Sequence, residues 1–95
     1  MHGPFEVHLH PEITRDLASI PRNMAGRILT AIDQRLSTDP GRYGDRMRKS
    51  LRGFWKLRVG DYRVVYAIAG RQVRVFGVMD RKEIYGRVVR RLPSR

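Results

Sequence analysis

The run Phe54-Trp55-Lys56-Leu57-Arg58-Val59-Gly60-Asp61-Tyr62-Arg63-Val64-Val65-Tyr66 constrains the fold more than any other part of the chain. Two alternating apolar and polar segments meet at Gly60-Asp61, the composition of a two-residue hairpin turn with Gly first. That turn sets Trp55 opposite Tyr66, Leu57 opposite Val64 and Arg58 opposite Arg63. Trp55, Leu57, Val59, Tyr62, Val64 and Tyr66 then share one face, which reads as core. The aromatics among them read as core side chains by that shared face, not as a base-stacking platform. The other face holds Arg58 against Arg63 with Lys56 beside them. Like charges directly opposite each other destabilise a sheet. Three clustered there point to a ligand with several negative charges, a phosphodiester backbone being the obvious candidate.

The rest of the composition agrees with an anionic partner. The chain has 95 residues, enough for one domain (1–95) with a modest core. It carries 20 Lys and Arg against 9 Asp and Glu, a formal net charge of +11. The basic residues run from Arg15 to Arg95 and are not a tail, so the whole surface should attract nucleic acid or an acidic protein. No long apolar run, signal peptide or basic amphipathic terminal helix is visible, so no membrane partner is expected. Cysteine is absent, which excludes disulfides and thiolate metal sites and agrees with a cytoplasmic location.

Along the chain, Phe5-Glu6-Val7-His8-Leu9 alternates as a first strand with Phe5, Val7 and Leu9 inward. Pro11 and Glu12 suit a helix start, and Ile13, Leu17 and Ile20 recur at helical spacing. Pro21 ends that helix and opens the next, in which Met24, Ile28, Ile32 and Leu36 form the apolar stripe before Asp39-Pro40-Gly41. Residues 41–53 are irregular and basic, a long connection of the kind that often carries function. After the central hairpin, Gly70-Arg71 makes a second turn that sets Ile68 opposite Val73 and Tyr66 opposite Val75. Ile84, Val88 and Leu92 then recur every four residues as a short terminal helix. The order β-α-α-β-β-β-α predicts an α+β fold. Its antiparallel-rich sheet has four strands, two N-terminal helices on one face and the Lys56-Arg58-Arg63 face open.

The segment from Gly53 to Tyr66, followed by Arg81-Lys82-Glu83-Ile84-Tyr85, resembles the RelE/ParE toxin superfamily, and RelE-type members more closely than ParE. The β-α-α lead-in, Leu51-x-Gly53 and the terminal Tyr85–Leu92 segment extend the resemblance over nearly the whole chain. It implies a RelE-like fold and a toxin of a type II toxin–antitoxin system that cleaves messenger RNA in the ribosomal A site. The partners implied are the ribosome with its mRNA, ribosomal RNA phosphates and a cognate antitoxin with an acidic or amphipathic helical segment. Carried over residue by residue, the resemblance gives Lys56, Arg63, Arg81 and Tyr85 as the catalytic set and Arg58 as a phosphate contact. Arg46, Arg48, Lys49 and Arg52 in the basic loop are further candidates for RNA phosphates. Many relatives carry a second Lys where this chain has Phe54, and a His where it has Asp80.

Metal-free RNA cleavage needs a base for the ribose 2′-OH, positive charge on the phosphorane-like transition state and an acid for the 5′-oxygen. No cofactor and no metal are expected. Arg63 and Arg81 suit the charge-stabilising role, because guanidinium forks match phosphate oxygens. Lys56 and Tyr85 are the proton-transfer candidates, and the sequence does not divide base from acid between them. Tyr85 could equally seal the core edge, and Lys56, Arg58 and Arg63 could be a solvated sheet face. His8 and His10 alternate in a strand without a third ligand nearby, which favours an incidental role over metal binding. Two alternatives stand beside the nuclease: a ParE-like gyrase inhibitor without nuclease activity, and a catalytically decayed co-repressor that only binds an antitoxin.

Overall fold

The computed structural model describes residues 3–93. Strand β1 (Glu6–Leu9) leads into helix α1 (Ile13–Ala18) and helix α2 (Arg22–Ala31), which continues as a π-helical turn over Ile32–Leu36. A short helix α3 (Pro40–Tyr43) and a minimal strand β2 (Asp45–Arg46) follow, then a 3-10 turn at Lys49–Leu51. Strands β3 (Trp55–Val59), β4 (Tyr62–Ala69) and β5 (Gln72–Asp80) form the centre. Helix α4 (Ile84–Arg87) and a 3-10 turn (Val88–Arg91) end the described chain. The sheet order is β1-β5-β4-β3-β2, with β1 parallel to β5 and every other pair antiparallel.

Both turns fall where the glycines put them. Gly60 and Gly70 have φ of +59° and +60°, a region open to glycine at little cost. The resulting register sets Trp55 opposite Tyr66, Arg58 opposite Arg63, Ile68 opposite Val73 and Tyr66 opposite Val75, as the alternation predicts. The sheet has five strands rather than the expected four. The added strand pairs only Asp45 with Lys56 and Arg46 with Trp55, too short a pairing to leave an alternating pattern.

On one face, Ile13, Ile28, Ile32 and Leu36 from the helices pack on Leu57, Val64, Tyr66, Val73, Val75 and Val78. Leu9, expected inward, is 47% exposed. The second face is not left open along its length. Between Val65 and Tyr66 the β4–β5 register shifts, so Phe76 is an extra residue on β5. A bulge of this kind redirects side chains, and Phe76 packs with Val65 and Met79 on the second face. Ile84 and Val88 cover them, joined by Met47, Leu51 and Phe54. The four-residue spacing of the terminal helix is therefore the lid of a second small core.

Where β1 ends at Leu9, opposite Val75, the edge of β5 continues without a strand partner among the described residues. Helix α1 supplies a carboxylate there: Asp16 Oδ2 accepts the Val78 N–H at 3.0 Å. Arg91 reaches the same carboxylate from the C-terminal segment, at 2.6 Å to Oδ2 and 2.9 Å to Oδ1, and also donates to the Phe76 carbonyl at 3.2 Å. Asp16 is 3% exposed, so this forked pair is an internal clasp between the two faces of the sheet.

Candidate active-site cleft

Strand alternation sends Lys56 to the second face, and the buried Ile84 pins α4 so that the next residue, Tyr85, projects outward at 51% exposure. The two side chains meet: Lys56 Nζ donates to Tyr85 Oη at 3.3 Å and lies 6.0 Å from the ring centroid. Tyr85 is thus a presented side chain and not a seal on the core. Together they line a cleft of about 280 Å³ whose remaining wall is the basic loop, with Arg46, Arg48, Lys49 and Ser50. Among the described residues no carboxylate lines it. Lys49 has φ of +57°, and a side chain held in the left-handed region away from glycine marks local strain of the kind found at functional sites. Arg46 lies over the Trp55 ring at 5.2 Å, which anchors one end of the loop. Arg52 lines the adjoining depression with Arg46 and Trp55.

The arginines of the expected catalytic set stand elsewhere on the same side. Arg63 is a diagonal neighbour of Lys56, since Lys56 pairs with Val65. Its guanidinium is folded back onto the carbonyls of Gly60 and Tyr62, at 3.1 and 2.9 Å. Arg81 is exposed at the end of β5, its N–H bonded to the Asp61 carbonyl at 2.9 Å. Arg58 faces Arg63 and lines a different groove, beside α2. The structure therefore joins Lys56 and Tyr85 with Arg46, Arg48 and Lys49, and gathers Arg58, Arg63 and Arg81 at the Gly60-Asp61 turn. Ser50 was not singled out by sequence, because nothing in an irregular loop marks which residues face a cleft.

The two departures from the family pattern have structural uses. Phe54 packs edge-on against Phe76, with centroids 5.7 Å apart, inside the second core. Asp80 accepts the Lys82 N–H at 2.7 Å and so shapes the turn into α4. His8 contacts Glu6 at 3.2 Å and His10 accepts the Glu12 N–H at 3.1 Å. No cluster of three metal-ligating side chains occurs among the described residues. No helix there is long and apolar enough to cross a membrane.

Comparison with known proteins places this geometry in a family. The model for the ParE toxin of type II toxin–antitoxin systems matches residues 7–85. Toxin RelE of Mycobacterium tuberculosis is 37% identical over 65 residues, covering 68% of this chain and 67% of the relative. Toxin RelG of the same organism is 30% identical over 86 residues, covering 88% and 99%. The toxin–antitoxin complex RelBE2 from M. tuberculosis contains a chain of the same fold, with a TM-score of 0.76 at 28% identity over 81% of this chain and 98% of that one. The family description carries the ParE name and the relatives carry RelE-type names. The chain belongs to the RelE/ParE superfamily as a RelE-like toxin of a type II toxin–antitoxin system.

Proposed function

We propose that this toxin is a metal-free endoribonuclease that cuts messenger RNA in the ribosomal A site, using the cleft between the basic loop and α4. The observation that carries the reading is the contact of Lys56 Nζ with Tyr85 Oη in a cleft walled by Arg46, Arg48 and Lys49. The 2′-OH gives up its proton as its oxygen attacks phosphorus, the bond from phosphorus to the 5′-oxygen breaks, and the 5′-oxygen takes up a proton, leaving a 2′,3′-cyclic phosphate and a 5′-OH. Because Lys56 and Tyr85 touch, they handle protons as a unit. Lys56 gives a hydrogen bond to the phenol oxygen, which leaves the Tyr85 hydroxyl proton free to be directed at the RNA. Arg63, one diagonal step from Lys56, reaches the scissile phosphate by leaving two backbone carbonyls that water can satisfy. Arg81 adds charge from the same end. Arg46, Arg48, Lys49 and Arg52 hold flanking phosphates.

Single-turnover cleavage of a message on programmed ribosomes tests this, with ribosome binding measured separately. Lys56→Ala and Tyr85→Phe should each slow the cut by about 10²–10⁴. Arg63→Ala and Arg81→Ala should slow it by about 10²–10³. Unchanged rates in all four would place the chemistry elsewhere.

A second reading has its own support. The family description is that of ParE toxins, and Phe54 and Asp80 serve packing and turn formation where many relatives have further proton-transfer groups. On that reading the chain inhibits DNA gyrase by contact. Mapping transcript 5′ ends after induction separates the two: translation-dependent cuts within codons mark the nuclease, and a DNA-damage response without cuts marks the gyrase inhibitor. In either case the partner that silences the toxin is a cognate antitoxin, as in the complex formed by the RelBE2 neighbour. An acidic or amphipathic helical segment is the form that suits a chain of this charge. Either reading implies a toxin that works in the cytoplasm, with ribosomes or with gyrase.

A further inference from the structure

A second basic surface lies on the helix side of the sheet, away from the cleft. Beyond the two-residue pairing with β2, the edge of β3 has no further strand partner among the described residues. Between that edge and α2 runs an open groove of about 810 Å³, floored by residues 58–60. Arg22, Arg27 and Arg35 line it from the helix, with Asn23 and Gln34 between them, and the strand edge at Arg58 closes the other side. No carboxylate lines it among the described residues. None of the four arginines makes an ion pair among the described residues, although Arg15, Arg87 and Arg91 each find one. Arg27 donates to the Met24 sulfur at 3.4 Å, and Arg35 lies over the Tyr43 ring at 5.9 Å.

We propose that this groove is a second phosphodiester-binding surface, and that it takes the backbone of structured RNA. The length suits it: from Arg22 to Arg35 a helix rises about 20 Å, enough to place three guanidinium forks along several phosphates. The chemistry of the lining suits it as well. Among the described residues no aromatic side chain lines the groove, so bases have nothing there to stack on, and the contact reads backbone charge and shape. An amphipathic protein helix is the poorer occupant, because the apolar side chains offered are only those of Ala31 and Val59. Three arginines along one helix face with no lining carboxylate give the groove a positive field, which a polyanion neutralises. The proposal goes beyond the cleavage reading and uses none of its chemistry. If both hold, the toxin grips structured RNA on one side of its sheet while the strand to be cut enters the other.

The test is a titration of a blunt RNA duplex at several salt concentrations. The proteins compared are the wild-type toxin, the triple variant Arg22→Gln, Arg27→Gln, Arg35→Gln, and the charge-matched control Arg71→Gln, Arg74→Gln, Arg90→Gln. All six residues are exposed, so folding is retained and is checked by thermal unfolding. The groove variant should lose at least about tenfold in affinity, and its slope of log K against log salt should shrink by about 2–3, near 0.9 for each lost phosphate contact. The control should keep most of the wild-type slope. Equal losses in both variants would mean diffuse binding without a site, and an unchanged groove variant would remove the groove from RNA binding. Retained duplex binding with lost antitoxin binding would make it a protein-docking surface. The duplex is not cleaved, and the cleft variant Lys56→Ala/Tyr85→Phe should keep the wild-type slope. Failure of the nuclease reading therefore leaves this result intact.

Discussion

Tyr66 ties three elements with one side chain. It stacks on Trp55, with centroids 6.3 Å apart, and its hydroxyl donates to the Pro40 carbonyl at 2.7 Å. Gly44 makes room for it, since a Cβ there would collide with the phenol oxygen. The start of the basic loop is therefore fixed by a core residue. Burial, with a smaller contribution from Asp45, raises the Tyr66 pKa well above its ordinary value. The sign follows from the charged form being the disfavoured one. The unfolded phenol ionises near pH 10, so the stability this group contributes is complete below about pH 10 and falls as pH rises beyond it. Denaturation midpoints at about pH 9 and about pH 11 should show this loss in the wild type and not in Tyr66→Phe. At neutral pH the substitution should cost about 1–2 kcal/mol, because the Pro40 carbonyl is left buried without its donor. The alternation alone marked Tyr66 as core. The resemblance marked Lys56 and Tyr85, but the rotamer that folds Arg63 onto Gly60 and Tyr62 has no trace in sequence.

Elements joined by local pattern were legible, and those joined across the chain were not. The two hairpins follow from glycine turns and alternation over neighbouring residues, which fix register to the residue. The second core depends on the bulge at Phe76, which becomes visible only when β4 and β5 are laid side by side. The clasp between Asp16 and Arg91 spans 75 residues of sequence, and Asp16 reads locally as a polar residue between Ile13 and Leu17. Its energetics give a prediction at this scale. Removing one partner of a buried pair leaves an uncompensated charge, so Arg91→Ala should destabilise by about 3–5 kcal/mol. Asp16→Leu with Arg91→Met should recover most of that, since apolar replacements of such pairs are often neutral. Chemical denaturation measures both. Amide exchange should show the segment 84–91 opening first in Arg91→Ala, because Ile84 and Val88 then hold it alone. A uniform loss of protection across the sheet would mean that the clasp supports the whole fold and not the attachment of the C-terminal segment.

The net charge of +11 is divided by the sheet into two basic surfaces with apolar layers between them. The sequence showed the excess and its spread, but not the division, which depends on which face each arginine finds once the helices have packed. The polar positions Asn23, Arg27, Thr30 and Gln34 already recur at helical spacing, yet that pattern is shared by any solvated helix face. Only the edge of β3 without a strand partner turns them into a groove. The two surfaces should act independently, because no side chain lines both and a packed sheet separates them. Distant sites without shared partners add within about 0.3–0.5 kcal/mol. In ribosomal cleavage, the triple groove variant should therefore raise KM, while Tyr85→Phe should lower kcat with KM little changed. Combined, their effects on kcat/KM should multiply to within about twofold. A combined loss no larger than that of Tyr85→Phe alone would mean that the groove acts only through the cleft, as part of one continuous RNA path around the edge of β3. A multiplicative loss is what two separate grips on RNA require, one that places the molecule and one that cuts.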